Sequence, residues 1–522
     1  MTASVLLDRR TWLGGTLGLL AGCRDAIDVP VRWAGASPER GHRVRQPAVW
    51  PVGDAPTRVD VLVVGGGVAG LSAARALQSR GVDVRLLELE DEPGGNSRGV
   101  QLQGHAAPLG AHYLPVPGDA AREVRGLLET LGLARYKFGR WVYDERYLCH
   151  SPQERLFFDG AWHEGLLPPA EPGSATARQY RAFAQAVADA QRKLGFDMPT
   201  VLAPWTAGHA ALDAMTFSAW LRQHGFDDAR LRWYLEYCCR DDYGAGVDVV
   251  SAWAGLHYFA SRHGFHAGAG DADAEPVLTW PEGNGWLTRA MAAPLRGQVA
   301  SGQVVQRVRV GRDAVDVLSW DVQRDAPRRW RAGAVVMAVP LGVAARVLES
   351  PPPALRDVAP IYAPWLVANV LVSRAPLPRL GAPASWDNVV YGARSLGYVD
   401  AGHQRLDAQA GGARVLSLYW ALPPGERAAL LTAPAQRWRD AALGELATVH
   451  PDLPALTTEV VLARHGHAMA VPVPRARGSA ALAALRQGAA RLAFAHADLS
   501  SYSVFEEAYT VGIAAARRIA GN

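Results

Sequence analysis

The chain has 522 residues, 49% hydrophobic and 20% charged, with a formal net charge of +4. That balance is ordinary for a globular enzyme and excludes wholesale disorder, while scattered basic residues argue against nucleic-acid binding. The length implies two interleaved domains, and the four cysteines (Cys23, Cys149, Cys238, Cys239) lack the CxxC spacing of a structural zinc site.

The chain opens MTASVLLDRRTWLGGTLGLLAGCRDA. Its apolar run, Trp12 to Ala21, is about half of the roughly 20 residues needed to cross a bilayer. A basic flank, a short apolar stretch and small residues at its end describe an export signal over 1–23. Residues 24–57, rich in Pro, Gly and Arg and without apolar periodicity, read as a linker.

The core begins at VDVLVVGGGVAGLSAARALQSRGVDVRLLE. Val59 to Val64 is a continuous apolar strand suited to burial on both faces of a parallel sheet. Gly65, Gly67 and Gly70 follow, then a helix ended by Gly81. The first glycine permits the tight turn, the second lets backbone approach a pyrophosphate, and the third lets helix and strand pack closely. The helix N-terminus, at Val68 and Ala69, offers unpaired N–H groups and a positive dipole end to phosphate. A second strand ends at Glu88, 18 residues beyond Gly70, near the spacing of about 20 expected for a ribose-hydroxyl acceptor. This strand–loop–helix–strand–acid unit binds a dinucleotide. The fold class is α/β.

Further elements divide the chain. Segment 58–150 carries the nucleotide unit, and 151–275 is richer in helical pattern. Segment 276–345 holds a turn feeding a helix (PVLTWPEGNGWLTRAMA) and alternating strands, and in 346–484 strands and prolines dominate. The closing 485–522 reads as a strand, a loop and an Ala-rich helix. On this reading 58–150, 276–345 and 485–522 form the nucleotide domain, and 151–275 with 346–484 the substrate domain.

DEPGGNSRG resembles the second glycine pair of flavin amine oxidases, placing Gly94, Gly95 and Asn96 six to eight residues after the ribose acid. QLQGHAAPLGAHYLPVPG resembles the segment in which a Gly-Ala-His/Tyr turn nears the flavin, and LAFAHADLSSYSVFEEAYTVGIAAA the closing flavin motif. The chain is therefore similar to the superfamily of monoamine and polyamine oxidases, phytoene desaturases and protoporphyrinogen oxidase. The resemblance implies FAD as cofactor and a Rossmann-type FAD-binding domain with three-layer ββα architecture, interleaved with an α+β substrate domain. It also implies that Asp498 approaches the ribityl or pyrophosphate, that Glu506, Glu507 and Ala508 present helix amides to the pyrimidine edge, and that the strand Val305 to Val308 meets the adenine through the backbone, with Val308 as its binding residue.

Relatives of this kind carry a lysine that holds a water near flavin N5. The matching strand, APWLVANVLVS, places Asn369 there, and no lysine occurs beyond Lys193. That departure leaves open a dehydrogenase passing electrons to a quinone or cytochrome instead of oxygen. Flavin chemistry needs the protein mainly to position a substrate C–H and exclude water. Candidates to line that space are Asp241, Asp242, Tyr243, Trp386, Asn388, Tyr391, His403, Tyr419 and Trp420, since an amine gains from aromatic faces and a carboxylate. Tyr419 and His496, which precedes Asp498, are the candidate catalytic side chains beside Asn369. His465 and His467 lack an acidic partner at ligand spacing, so no metal is expected.

The implied reaction is hydride transfer from an amine, possibly a polyamine, giving an imine and then an aldehyde. Alternatives are a desaturase or dehydrogenase acting on a C–C or C–O bond of an apolar substrate, and a non-catalytic flavin-binding protein. A flavoprotein must be exported folded, and DRRTWLGG resembles a twin-arginine signal. LAGC resembles a lipobox ending at Cys23. Together they imply a periplasmic protein held to the membrane through a lipid on Cys23.

Overall fold

The computed structural model describes residues 29–46, 48–51, 55–262, 264–268, 275–405 and 412–521. Two sheets organise them. The first has seven strands. At its centre Thr57–Val64 lies parallel to Val84–Leu87 on one side and to Ala326–Met337 on the other. The apolar half of that central strand, Val61 to Val64, is buried, whereas Arg58 and Asp60 at its start reach solvent. Helix Val68–Gln78 packs on this sheet beside the closing helix Phe505–Ala520, where Ser72 Oγ donates to the Tyr509 carbonyl at 3.1 Å. The sheet is completed by the antiparallel strands Val315–Asp321 and Gln303–Val310 and by the short parallel strands Val299–Ala300 and Leu492–Phe494.

The second sheet has eight strands. Its long core, Tyr362–Val372, pairs antiparallel with both Arg414–Ala421 and Thr457–Ala470. Beyond Arg414–Ala421 follow Tyr398–Asp400, Asp387–Val390, Glu154–Phe158 and Ala161–Glu164. Helices cover one part of it. Ala175–Leu194, Phe217–Gln223, Ala229–Tyr243 and Ala252–Ala260 are each capped by a side chain: Ser174, Thr216, Asp228 and Ser251 accept from the first-turn amides. Their core is aromatic, with Phe183 in edge contact with Phe226, Phe259 and Phe265. Cys238 and Cys239 are buried there as free thiols.

Two expectations are corrected. Residues 24–57 are not a free linker throughout. Val31–Ala34 is an edge strand parallel to Val460–Ala463, Arg439 donates to the Val29 carbonyl at 2.7 Å, and Ser37 N–H donates to Glu90 at 2.8 Å. A four-residue strand between Pro30 and Gly35 is too short to show periodicity, so only its pairing reveals it. The region 346–484 also holds a 15-residue helix, Ala435–Val449, whose Trp438, Ala442, Leu446 and Val449 are buried against the second sheet. The export signal and Cys23 lie outside the described residues.

Candidate active site

The nucleotide cleft is built from backbone. Gly65 has φ +103°, and a Cβ there would stand 2.4 Å from the Ala338 carbonyl oxygen. At Gly70 a Cβ would stand 1.9 Å from the Gly65 carbonyl, so this glycine lets the helix wedge against the strand. Glu88 crosses beneath the turn, its two oxygens accepting from Gly66 N–H and Glu90 N–H at 2.8 Å each. Burial raises its pKa, against these two amide hydrogen bonds.

The cavity above this turn has a volume of about 400 Å³. Gly65, Gly67, Val68, Ala69, Glu88, Gly94, Gly95 and Asn96 line one wall, and His496, Glu506 and Ala508 another. Two helices open into it by their N-termini, Val68–Gln78 and Phe505–Ala520, and neither has a side-chain cap. Bare starts are not confined to the cleft: helices Arg122–Thr130 and Ala435–Val449 also lack a side-chain cap. Two bare helix N-termini over one glycine-lined cavity fit the phosphates and the electron-rich ring edge of a flavin dinucleotide. Glu506 faces the same cavity, its pKa pushed up to about 7 by burial.

Five predicted residues sit elsewhere. Gly70 lies behind the cavity, as a packing contact. Val308 is core, with its carbonyl taken by Glu349 N–H at 3.0 Å. A register shift between Val305 and Arg307 changes the alternation, and Gln303 and Val305 are the residues of that strand lining the cleft. Asp498 is buried outside the cavity, accepting from Leu341 N–H at 2.9 Å and Tyr362 O–H at 2.5 Å and lying 3.0 Å from His496 Nδ1. Burial alone would raise its pKa, but the His496 ring and these donors hold it below the ordinary range. It positions His496 from behind. Glu507 turns away from the cleft and accepts from Thr200 N–H. Asn369 is fully buried, donating to the Pro108 carbonyl at 2.8 Å and accepting from Ser417 O–H at 2.6 Å. Trp365 and Val367 are the residues of its strand that reach open space.

That open space is a chamber of about 150 Å³. It shares Asn96, Ala111, Tyr113, Ala468 and Ser503 with the nucleotide cleft. On its other side it shares His112, Tyr113, Asp241 and Tyr419 with an outer cavity of about 160 Å³. The three spaces therefore adjoin one another. His112 stacks obliquely on Tyr419 at 4.5 Å between centroids and approaches Trp386 at 5.6 Å. Burial pushes the His112 pKa down to about 3, so the ring is neutral. Tyr419 is 5% exposed, and its hydroxyl, like Trp365 Nε1, is buried with no hydrogen-bond partner among the described residues. An orphaned hydroxyl facing a chamber awaits a polar group of a ligand.

The outer cavity is acidic and aromatic. Asp241, Asp387, Glu154 and Glu275 line it, among Tyr234, Tyr237, Tyr258 and Trp386. Its guanidinium, Arg262, is held at 3.5 Å by both Asp242 and Glu275 and donates to the Tyr502 hydroxyl oxygen at 3.2 Å. Burial, then the charge of Asp242, pushes the Asp241 pKa up to about 7. Burial, with Glu154 and Asp241 nearby, also raises Asp387. Carboxylates crowded in a dry, aromatic space favour a cationic occupant.

Of the further candidates, Asp241, Trp386 and Tyr419 line these cavities. Asp242 accepts from Tyr502 O–H, Tyr243 donates to the Ala254 carbonyl at 2.8 Å, and Asn388 joins the Arg155 network. Trp420, on the opposite strand face from Tyr419, donates to Glu445 at 3.0 Å; His403 lies 2.8 Å from the His150 carbonyl, and Tyr391 faces Trp233 and Phe158. Sequence reasoning missed His112, Tyr113, Glu154, Trp365 and Asp387. For the first two a signal existed: they sit in the GAHY turn of the flavin-like segment.

Residues 68–520 match the family described as flavin containing amine oxidoreductase. A putrescine oxidase of Kocuria rosea is 31% identical over 176 residues, covering 33% of this chain and 32% of the relative. The matched stretch thus spans about a third of that curated relative. Among solved structures, a putrescine oxidase with putrescine bound aligns at TM-score 0.63 and 17% identity, over 90% of this chain and all of the other. A cyclohexylamine oxidase of Brevibacterium oxydans IH-35A aligns at TM-score 0.65 and 19% identity, over 88% and 98%. At these identities the structures share the fold.

Proposed function

The chain belongs to the flavin-containing amine oxidoreductase family and takes FAD as cofactor, and from that premise we propose that it oxidises a cationic primary or secondary amine to an imine, which water hydrolyses to an aldehyde. One observation carries the reading: the nucleotide cleft adjoins the His112–Tyr419 chamber, which in turn adjoins a cavity whose charged lining is mainly carboxylate.

Bound FAD supplies the hydride acceptor. The chain's own residues do the rest. Asp387 and Glu154 draw the ammonium into the outer cavity, and the faces of Trp386 and Tyr419 hold it by cation–π attraction. Asp241 borders both cavity and chamber, so its carboxylate takes one proton from the ammonium, leaving a neutral amine and a carboxylic acid. Neutral His112 adds no opposing charge, and the Tyr419 hydroxyl is placed to hydrogen-bond the amine nitrogen. The chamber, closed by aromatic rings, keeps water from the reacting carbon.

The electron acceptor is oxygen, a quinone or a cytochrome. Lys137 and Lys193 are the chain's two lysines, and neither borders the chamber, which favours the last two. The arginine pair and LAGC support export with FAD in place and a lipid on Cys23; replacing Cys23 by Ala then releases the protein from the membrane fraction. Anaerobic mixing with amines, polyamines and apolar alcohols, with flavin absorbance recorded, tests the reaction. Bleaching by amines supports it, and bleaching by alcohols alone overturns it.

A further inference from the structure

Strands Ala134–Lys137 and Arg140–Tyr143 form an isolated hairpin beside helix Arg122–Thr130. Its loop is Phe138–Gly139, with φ +51° and +77°. Two other hairpins turn on the same positive-φ pair, but with polar residues first: Gln103–Gly104 and Asp159–Gly160. A bulky residue at positive φ is strained where Asn, Asp or Gly is at ease. Phe138 is also 99% exposed, so its ring gains no packing in return. Beside it Tyr136 is 60% exposed and Val142 41%.

The charges on the two strands behind this tip are positive, and the acids Asp144 and Glu145 follow directly after the second strand. Arg135, Lys137 and Arg140 stand on the two strands, which contain no acidic residue, and all three are exposed. Lys137 is one of only two lysines in the chain. Aromatic rings ringed by Lys and Arg suit the boundary of an anionic bilayer, where rings enter the headgroup layer and cations meet phosphate. Among the described residues no helix is long and apolar enough to cross a membrane, so such contact is peripheral.

We propose that the Tyr136–Val142 hairpin docks the protein on anionic lipid, Phe138 entering the interface while Arg135, Lys137 and Arg140 hold headgroup phosphates. The contact is independent of any lipid on Cys23 and of the amine reading. Strain and exposure at Phe138 are then the cost of a ring kept ready for lipid.

The test compares the full-length holoenzyme with its Phe138→Asn variant in co-sedimentation with vesicles of pure phosphatidylcholine, and with vesicles containing about one-third phosphatidylglycerol. Asparagine tolerates positive φ, so the variant should melt no lower than the wild type and keep its FAD spectrum. Its partition onto anionic vesicles should fall about tenfold. Lys137→Gln should lower partition about fivefold on anionic vesicles, an effect that raised salt removes, and should leave binding to neutral vesicles unchanged. Equal partition of Phe138→Asn and wild type overturns the proposal. So does a wild-type dimer in light scattering that Phe138→Asn converts to monomer without lipid, since the tip would then bind a second copy.

Discussion

The nucleotide cleft and the outer cavity solve different problems with different materials. The cleft is made of main chain: glycines at 65, 67, 94 and 95, two bare helix N-termini, and one carboxylate that braces the turn. Its glycines and its carboxylate come from the stretch 64–97, and the rest of its lining from segments spread over the chain. The outer cavity is made of side chains gathered from distant segments: Tyr113 and Glu154, Asp241 and Arg262 on or after the helices, Trp386 and Asp387 at the start of a short strand, and Tyr419 on a longer one. A cofactor common to many enzymes can be held by backbone, which any sequence with the right glycines supplies. A particular substrate must be met by side chains, which only the tertiary fold brings together.

If that division is real, damage to one region should leave the other's readout intact. The largest effect is expected at Gly67. A Cβ there meets nothing closer than Gly95 Cα at 3.9 Å, so Gly67→Val should fold while its side chain fills the cleft. The purified protein should be colourless, with FAD affinity down at least about 100-fold, as read by absorbance after gel filtration. Gly65→Val would lose the fold too, through its positive φ and the Ala338 carbonyl.

Asp241→Asn sharpens the contrast from the other side. FAD content should be unchanged, while kcat/KM for an amine falls about 100-fold or more at pH 8. In the wild type the active form is the carboxylate, so kcat/KM rises as pH increases through about 7. In the variant that limb disappears, and the rate follows the substrate's own ionisation. A pH profile of anaerobic reduction reads both.

Asp387→Asn should raise KM about tenfold by removing charge from the outer cavity, with a smaller change in kcat. It also carries a stability signature. The folded state raises the Asp387 pKa by burial, so this group favours folding at low pH, and that contribution is lost as pH rises above the unfolded value of about 4. At pH 8 the variant should melt about 1–2 °C above the wild type, and at pH 4 at the same temperature or below. The smallest effect on activity belongs to Asn369→Ala. It should cost about 1–3 kcal/mol of stability through the abandoned Pro108 carbonyl and Ser417 hydroxyl, while the reduction rate stays within twofold of the wild type.

What the sequence revealed follows the same division. The strand Thr57–Val64, the glycine turn, Glu88 and the closing helix were readable because their signals are local: apolar runs, turn glycines and one acid at fixed spacing. Val308 was misplaced because a bulge at residues 305–307 changes strand alternation without leaving a mark in composition. Asn369 was misplaced because a strand buried on both faces has no alternation to fix its register. Asp387 and Glu154 meet in the outer cavity through a parallel pairing of residues 387–390 with 154–157, a contact no local pattern can announce. Val31–Ala34 was overlooked for a like reason, since its partner Val460–Ala463 lies more than 400 positions away.

Anaerobic stopped-flow reduction at pH 8, with wild type and Asp241→Asn holding equal FAD and an alkyl diamine in excess, probes the junction of the two regions directly. The wild-type flavin should bleach within seconds and the variant's at least about 100-fold more slowly. Equal bleaching of both proteins, or a wild type that no amine reduces, would contradict a cleft fed through the acidic cavity.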